Sequence, residues 1–347
     1  MPLKDTDIAD FVTTTLYNLG RGRFYQIAQE LQNYEFMGNI LTKRGGVRIL
    51  NNGLGIQETL MHTIGGLSRW VGLFDEDVYD FKDVLAKMQV NWCRLTDSMA
   101  FERRMLLENR GEARINNVVA PQRHAMMLRM AQTLEDAFFT NPDADNTNVM
   151  WGLKYWIVSN ASTGFNGGAP TGFTTVGNIN PTTYSTFRNY TSTYSDRTTK
   201  TDIVKTLRTA YRKTKWKSPV NKAQFRGDTG KQRVLYMNEE TLSDLEDLGE
   251  AGNENVGRDL APYDDEIVFR KHPLIWIPKL DSETTPADPI YMIDKATFVP
   301  CVLRGDYMRF ADVHKAAKQH NVFVSEVDLS INTICVNRRA NAVIYEV

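Results

Sequence analysis

The chain has 347 residues, with 41 Lys and Arg against 42 Asp and Glu, a formal net charge of −1 and a hydrophobic share of 42%. This length supports two or three domains with a sizeable core, and the composition is that of an ordinary globular protein. Near-zero charge argues against bulk binding of polyanions, no apolar run reaches the length of a membrane span, and the first residues carry no signal-peptide hydrophobic region.

Residues 5–19 suit an amphipathic helix with Ile8, Phe11, Val12, Leu16 and Leu19 on one face, broken at Gly20-Arg21-Gly22. A second short helical pattern runs through Phe24, Ile27, Ala28 and Leu31. Neither piece is long enough to stand alone in water, so both read as an arm that lies on another surface.

From Val47 to Ile64 the sequence reads as extended chain, and Val84 to Cys93 reads as its return. Between them, Gly65-Gly66 marks a turn, and Trp70, Val71, Leu73 and Phe74 form an apolar knot followed by Asp75-Glu76-Asp77. Two arms of up to about twenty residues, at about 3.3 Å each, would reach on the order of 60 Å. An isolated two-stranded ribbon is marginal in water, so this one needs a further surface, which argues for self-association. Residues 97–110 read as a helix with Met99, Leu106 and Leu107 apolar.

Val118 to Phe139 is the strongest helical pattern. Met126, Met130, Leu134 and Phe138 recur at every fourth position, Met127 and Ala131 widen the stripe, and Arg123, Arg129, Gln132 and Glu135 fall on the polar face. Pro121 suits the first helical residue, and Asn141-Pro142-Asp143 stops the rod. About twenty residues span roughly 30 Å. The polar face is expected to add little specificity.

Residues 159–199 are rich in Thr, Ser, Gly, Asn and Tyr and read as loops with a short strand. From Thr201 the pattern is α/β. It runs from a helix over 202–214 and a strand at Arg233–Asn238 to a helix from Glu239 to Leu248 closed by Gly249. Strands follow at 267–269, 274–277 and 290–294, then a long alternating strand through Val327, Leu329, Ile331, Thr333 and Cys335.

A search for chemistry finds little. The three cysteines, Cys93, Cys301 and Cys335, are far apart and odd in number, which fits a reduced compartment. The five histidines are scattered, with no pair at metal spacing, and no Cys-x-x-Cys occurs. Gly53-Leu54-Gly55 lacks the third glycine of a dinucleotide loop, and neither a phosphate loop nor a nucleophile elbow is present. Asp75-Glu76-Asp77 reads as a solvated turn. No catalytic residue, cofactor or metal is expected, and the chain is not expected to be an enzyme.

One charge pattern stands out. Residues 200–233 are strongly basic, including Arg208, Arg212 and Lys213, and residues 239–266 strongly acidic, including Glu246, Asp247 and Glu250. Three readings stay open: two solvated faces, complementary edges between identical subunits, or a nucleic-acid patch on the basic half. Aromatic interleaving in that half is thin, with Tyr211, Trp216 and Phe225 alone.

The order of arm, two-armed β-excursion, rod, α/β domain and long final strand resembles the major capsid protein of tailed bacteriophages, the Hong Kong 97 type. Asn116 through Phe139 resembles its spine helix, and residues 46–95 its extended loop. Arg233-Val-Leu-Tyr-Met-Asn-Glu-Glu resembles its strand entering an Asn-capped helix, and Ile290-Tyr-Met-Ile-Asp the later strand ending in Asp. Val322–Val347 resembles the return strand into the peripheral domain. The resemblance implies an α+β Hong Kong 97-like capsid fold. Its parts would be an N-terminal arm (1–45), an extended β-loop (46–96), a peripheral domain with the spine helix (97–200 plus 318–347) and an axial domain (201–317).

It further implies self-assembly, through hexameric and pentameric capsomers, into the icosahedral head shell enclosing double-stranded DNA that is contacted weakly. A separate scaffolding protein, a portal protein and a cement or decoration protein are the implied partners. No membrane is involved, and the location is the virion capsid, assembled in the host cytoplasm. Candidate inter-subunit contacts are Phe11 and Leu16 in the arm, Arg69, Trp70, Phe74, Asp75 and Asp77 in the loop, and the six charged residues named above. The tip from Gly65 to Phe74 holds Arg69 but no Lys, so no covalent crosslink to a neighbour is expected. Rival readings are an encapsulin-like nanocompartment shell, a cytosolic α/β enzyme, and a nucleic-acid-binding module using residues 200–233.

Overall fold

The structure, a computed structural model, describes residues 34–41, 47–51, 53–76, 78–104, 112–216, 232–250 and 268–347, with backbone alone at 39, 112–120 and 250. The helices expected within 5–31, with Phe11 and Leu16, lie outside these residues, as do 217–231 and 251–267.

A π-helical turn (Phe36–Leu41) is followed by strands β1 (Arg48–Leu50), β2 (Gly55–Met61), β3 (Leu85–Asn91) and β4 (Cys93–Glu102), and by the long helix α1 (Glu112–Phe139). Next come a short helix α2 (Leu153–Trp156), β5 (Gly164–Gly167), β6 (Asn189–Tyr194), helix α3 (Ile203–Thr214), β7 (Arg233–Met237) and helix α4 (Glu239–Glu250). The remainder holds β8 (Val268–Phe269), β9 (His272–Trp276), the helical turn α5 (Pro278–Asp281), β10 (Ala287–Asp294), β11 (Phe298–Leu303), β12 (Arg309–Phe310), β13 (His314–Lys315), β14 (Val322–Cys335) and β15 (Ala342–Glu346).

Helix α1 buries Met126, Met130, Leu134 and Phe138, the stripe its spacing requires. It begins at Glu112, not at Pro121, and its 28 residues span about 42 Å. Pro121 lies inside the helix, where its missing N–H leaves one interior carbonyl without its helical partner. A proline fits either a first-turn position or a locally strained interior, and the sequence signal did not separate the two. The C-terminal end of α1 is an aromatic hub. Phe138 stacks on Phe36 with centroids 4.7 Å apart and meets Phe298 of β11 edge-on at 5.9 Å, while Phe139 meets Tyr236 of β7 at 5.5 Å. The end of the N-terminal segment and both large sheets therefore converge on this turn of the helix.

Residues 97–102, expected to be helical, belong to β4. Cys93, Leu95, Asp97, Met99 and Phe101 turn inward while Arg94, Thr96, Ser98 and Ala100 are exposed, a period of two rather than 3.6. β4 pairs antiparallel with β14 from Ile331↔Cys93 to Val322↔Glu102. β14 also pairs with β11, β12 and β13, and β11 with β1, forming a six-stranded sheet. The alternation expected along β14 holds at Val327, Leu329 and Ile331, but Ser330 and Asn332 are buried too. Asn332 is satisfied there: its Nδ2 donates to the Asn91 carbonyl at 2.7 Å, and its Oδ1 accepts from the Trp151 amide at 3.0 Å.

The second sheet has seven strands in the order β5-β6-β15-β10-β7-β9-β8. The last strand lies between β6 and β10, parallel to the first and antiparallel to the second. Side chains alternate across this sheet. Leu235, Met237, Ile290, Met292, Ala342 and Ile344 pack with α3 and α4; Val234, Tyr236, Tyr291, Ile293 and Val343 pack in the core that contains α1. β7 runs into α4 through Asn238, whose side-chain oxygen accepts from the Thr241 amide at 3.2 Å, an N-cap that stops the strand and starts the helix.

One buried cation gathers carbonyls of the Thr- and Tyr-rich segment 159–199 and of α2. Arg338, 1% exposed, donates to the carbonyls of Trp156 at 2.6 Å, Phe187 at 2.9 Å and Gly168 at 2.7 Å. Burial lowers its pKa to about 10, which leaves it charged at neutral pH.

Candidate assembly surface

The ribbon of β2 and β3 pairs in register from Gly55↔Asn91 to Met61↔Leu85. Its seven paired residues per strand span about 23 Å, well short of the reach expected from the sequence. It also rests on its own subunit. Ile56, Ala86, Met88 and Val90 are buried, and the Gln89 amide donates to the Gly177 carbonyl at 3.0 Å. The Thr186 hydroxyl donates to the His62 carbonyl at 2.6 Å, and the His62 ring meets Tyr184 at 4.6 Å. The need for a second surface therefore falls on the loop beyond the ribbon, between His62 and Val84.

That loop is apolar and exposed. Trp70 is 102% exposed, Phe74 97%, Phe81 96% and Ile64 90%, with Leu73 and Tyr79 close behind. Side chains of this size each gain about 1.5–3 kcal/mol on burial, so a contiguous set in solvent marks a docking surface. The tip is shaped rather than slack. The Gly72 amide donates to Asp75 Oδ2 at 2.6 Å, the Arg69 guanidinium donates to the Glu76 carbonyl, and Phe74 holds φ +74°, a left-handed conformation rare for a bulky residue. Arg69 and Asp75, expected as contacts to a neighbour, also hold the loop's own turn, in which Trp70 and Phe74 are exposed. Asp77 lies outside the described residues.

The charged candidates sit on two helices. Arg208, Arg212 and Lys213 are exposed on α3, whose other side buries Ile203, Leu207, Ala210, Tyr211 and Thr214. Glu246 and Asp247 are exposed on α4, and Glu250 is its last residue. α3 packs along β6 and β15, whereas α4 packs along β9, and no ion pair joins the two helices among the described residues.

Sequence reasoning missed the point where the N-terminal segment is anchored. Glu135 of α1, assigned to the polar face, is 3% exposed. Its carboxylate accepts from the Phe36 amide at 2.9 Å and the Met37 amide at 3.2 Å, as an N-terminal cap on the π-helical turn. Burial pushes its pKa up to about 7, against the opposing pull of those amides, and the neighbouring carboxylate of Glu35 adds to the rise. Glu35 in turn accepts from Lys295 Nζ at 2.7 Å and from the Tyr236 hydroxyl at 3.1 Å. The available signal was angular: Glu135 lies one turn from Ala131 and Phe138, on the flank of the apolar stripe. Among the described residues no group of His, Cys, Asp and Glu is placed to hold a metal ion, and no helix is long and apolar enough to cross a membrane.

No family model matches the sequence, and no curated protein matches it. Solved structures do match its fold. The chain is similar to the subunit of the cyanophage A-1(L) capsid asymmetric unit, at 13% identity over 94% of this chain and 96% of that one, with a TM-score of 0.60. It is similar to the capsid of the native GTA particle, at 12% identity over 94% of each chain and a TM-score of 0.56. It is also similar to the capsid of Myoviridae phage XM1, at 12% identity over 94% of this chain and 95% of that one, with a TM-score of 0.54. The likeness covers the chain almost from end to end, and the chain carries the α+β fold of Hong Kong 97-type phage capsid proteins.

Proposed function

We propose that the chain is a major capsid protein whose copies assemble into the icosahedral shell of a phage head around double-stranded DNA. The observation that carries this reading is the loop between His62 and Val84: on a chain with a capsid fold from end to end, it leaves Trp70, Phe74 and Phe81 almost fully in solvent. A loop held in a defined turn, with its large side chains outward, is built to be covered by a neighbour. Many modest contacts repeated over a shell then sum to a stable particle. The partners of this reading are further copies of the chain in hexameric and pentameric capsomers, a separate scaffolding protein, a portal and a cement protein. DNA is held weakly, in keeping with a net charge of −1. The subunit acts by position rather than by catalysis.

The experiment is sedimentation velocity on the full chain, co-expressed with a scaffolding protein encoded beside its gene, against a variant in which residues 63–83 are replaced by a short turn. The full chain should sediment as multi-subunit species, and the variant should remain a monomer with an unchanged melting temperature. A variant that assembles like the full chain would remove the loop from the account.

A further inference from the structure

The outer surface of α3 is a row of cations. Lys205, Arg208, Arg212 and Lys215 are all exposed and follow one another at helical spacing, so they share one face. The C-terminal end of a helix favours cations, which accounts for Arg212 and Lys215 but not for Lys205 and Arg208. Like charges one turn apart repel, and among the described residues none of the four has an ion-pair partner. The turn between β8 and β9 adds to the row. Arg270 and Lys271 both hold left-handed backbone, at φ +52° and +68°, and the Arg270 guanidinium lies 5.1 Å from the centroid of the Tyr211 ring on α3.

α4 has the opposite defect. Glu240 and Asp244 are both engaged by Arg197, each at 2.8 Å. Glu246 and Asp247 are exposed beyond them, with no ion pair among the described residues, near the helix end whose dipole disfavours acids, and no basic residue lies in the last turn. The two helices cover different halves of the seven-stranded sheet, α3 over β6 and β15 and α4 over β9.

We infer that these are the two halves of one heterologous contact, the cationic row of α3 in one copy meeting the acidic end of α4 in the next around a closed ring. The inference rests on the shell reading and names the surface that sets the order of subunits within a capsomer. Head-to-tail repetition brings opposite charges together at every contact and makes a ring where its rotation closes; a twofold between the patches would also pair them, and it is the shell reading that selects the ring. A nucleic-acid partner would account for the cations alone and leave the end of α4 unexplained.

The test uses the full chain and two charge-reversed variants, Arg208→Glu with Arg212→Glu and Glu246→Lys with Asp247→Lys, together with the fourfold combination. Sedimentation velocity and negative-stain microscopy read assembly, thermal melting reads the fold, and a gel shift with a short DNA duplex reads nucleic-acid binding. Each double variant should need about tenfold more protein to assemble, because like charges then face each other at every contact. The fourfold variant should assemble like the unaltered chain, since opposite charges again meet, and an equimolar mixture of the two doubles should restore only rings with an even number of subunits, in which the two alternate. If the unaltered chain forms no ring or shell, the shell reading fails and this contact with it. If it assembles and both doubles assemble equally well, the contact alone is wrong. Doubles that melt lower, with melting restored in the fourfold variant, would show that the charges pair within one copy. Loss of duplex binding by Arg208→Glu with Arg212→Glu, with assembly intact, would assign the cationic row to nucleic acid.

Discussion

The carboxylate of Glu135, on the flank of the apolar stripe of the spine helix, lies 2.9 Å from the backbone nitrogen of Phe36. That bond ties the end of the N-terminal segment to the element on which both sheets converge, and Phe36 stacks on Phe138 directly beside it. This pair and the Lys295–Glu35 ion pair next to it fix the position of residues 35–37 against the helix.

Stability should depend on pH through Glu135. Its folded-state pKa, about 7, lies above the ordinary 4.5, so the folded chain binds the proton more tightly than the unfolded one. The sign follows: this contribution is fully present below about pH 4.5 and is lost as pH rises through 7, with an upper bound of about 3 kcal/mol. Urea denaturation near pH 5 and near pH 8 should show the loss, and Glu135→Gln should flatten it. An unchanged slope in that variant would place the titration elsewhere. Glu135→Ala should cost about 1–3 kcal/mol at either pH, since it leaves the Phe36 and Met37 amides buried without an acceptor.

Lys154 of α2 and Glu283 form a buried ion pair, and Glu283 also accepts from Asn141 at 3.2 Å. Burial lowers the pKa of Lys154, and the adjacent carboxylate opposes the shift. Glu283→Ala should destabilise by about 3–5 kcal/mol because it strands a buried ammonium. Lys154→Met combined with Glu283→Leu should cost much less than the sum of the single changes, as read by a double-mutant cycle in chemical denaturation.

Gly152 marks a close approach of backbones. A Cβ there would overlap the carbonyl oxygens of Ala137 and Phe138 at the end of α1. Gly152→Ala should therefore cost about 1–3 kcal/mol in thermal or urea melts, despite adding a single methyl group.

At the loop tip the expectation reverses. Trp70→Ser and Phe74→Ser remove side chains that touch little in one copy, so monomer stability should change by no more than about 0.5 kcal/mol. Assembly, read by light scattering, should be lost. A fall in melting temperature without loss of assembly would mean that the tip serves its own subunit.

Much of this architecture was legible from local pattern. The stripe of Met126, Met130, Leu134 and Phe138, the strand at Arg233–Met237 and its Asn238 cap each carry their cause within a few residues. What failed was set by distant partners. Residues 97–102 read as the start of a helix because the alternation of β4 makes sense only against β14, which arrives more than two hundred residues later. A short turn, Arg338–Ala340, carries the chain from β14 in one sheet to β15 in the other, and the buried role of Arg338 shows only when Trp156, Phe187 and Gly168 surround it. Glu135 reads as a residue of the polar face because no periodicity records that a backbone end docks on it. The exposed loop was legible as an apolar knot, but its internal turn, which uses Arg69 and Asp75, was not.

The most direct test of the shell reading is negative-stain electron microscopy of the full chain purified after co-expression with a scaffolding protein from its gene neighbourhood. Closed shells of uniform diameter, or rings of five and six subunits, are the predicted result. A monodisperse monomer at every concentration, with the scaffold present and the loop intact, would contradict it.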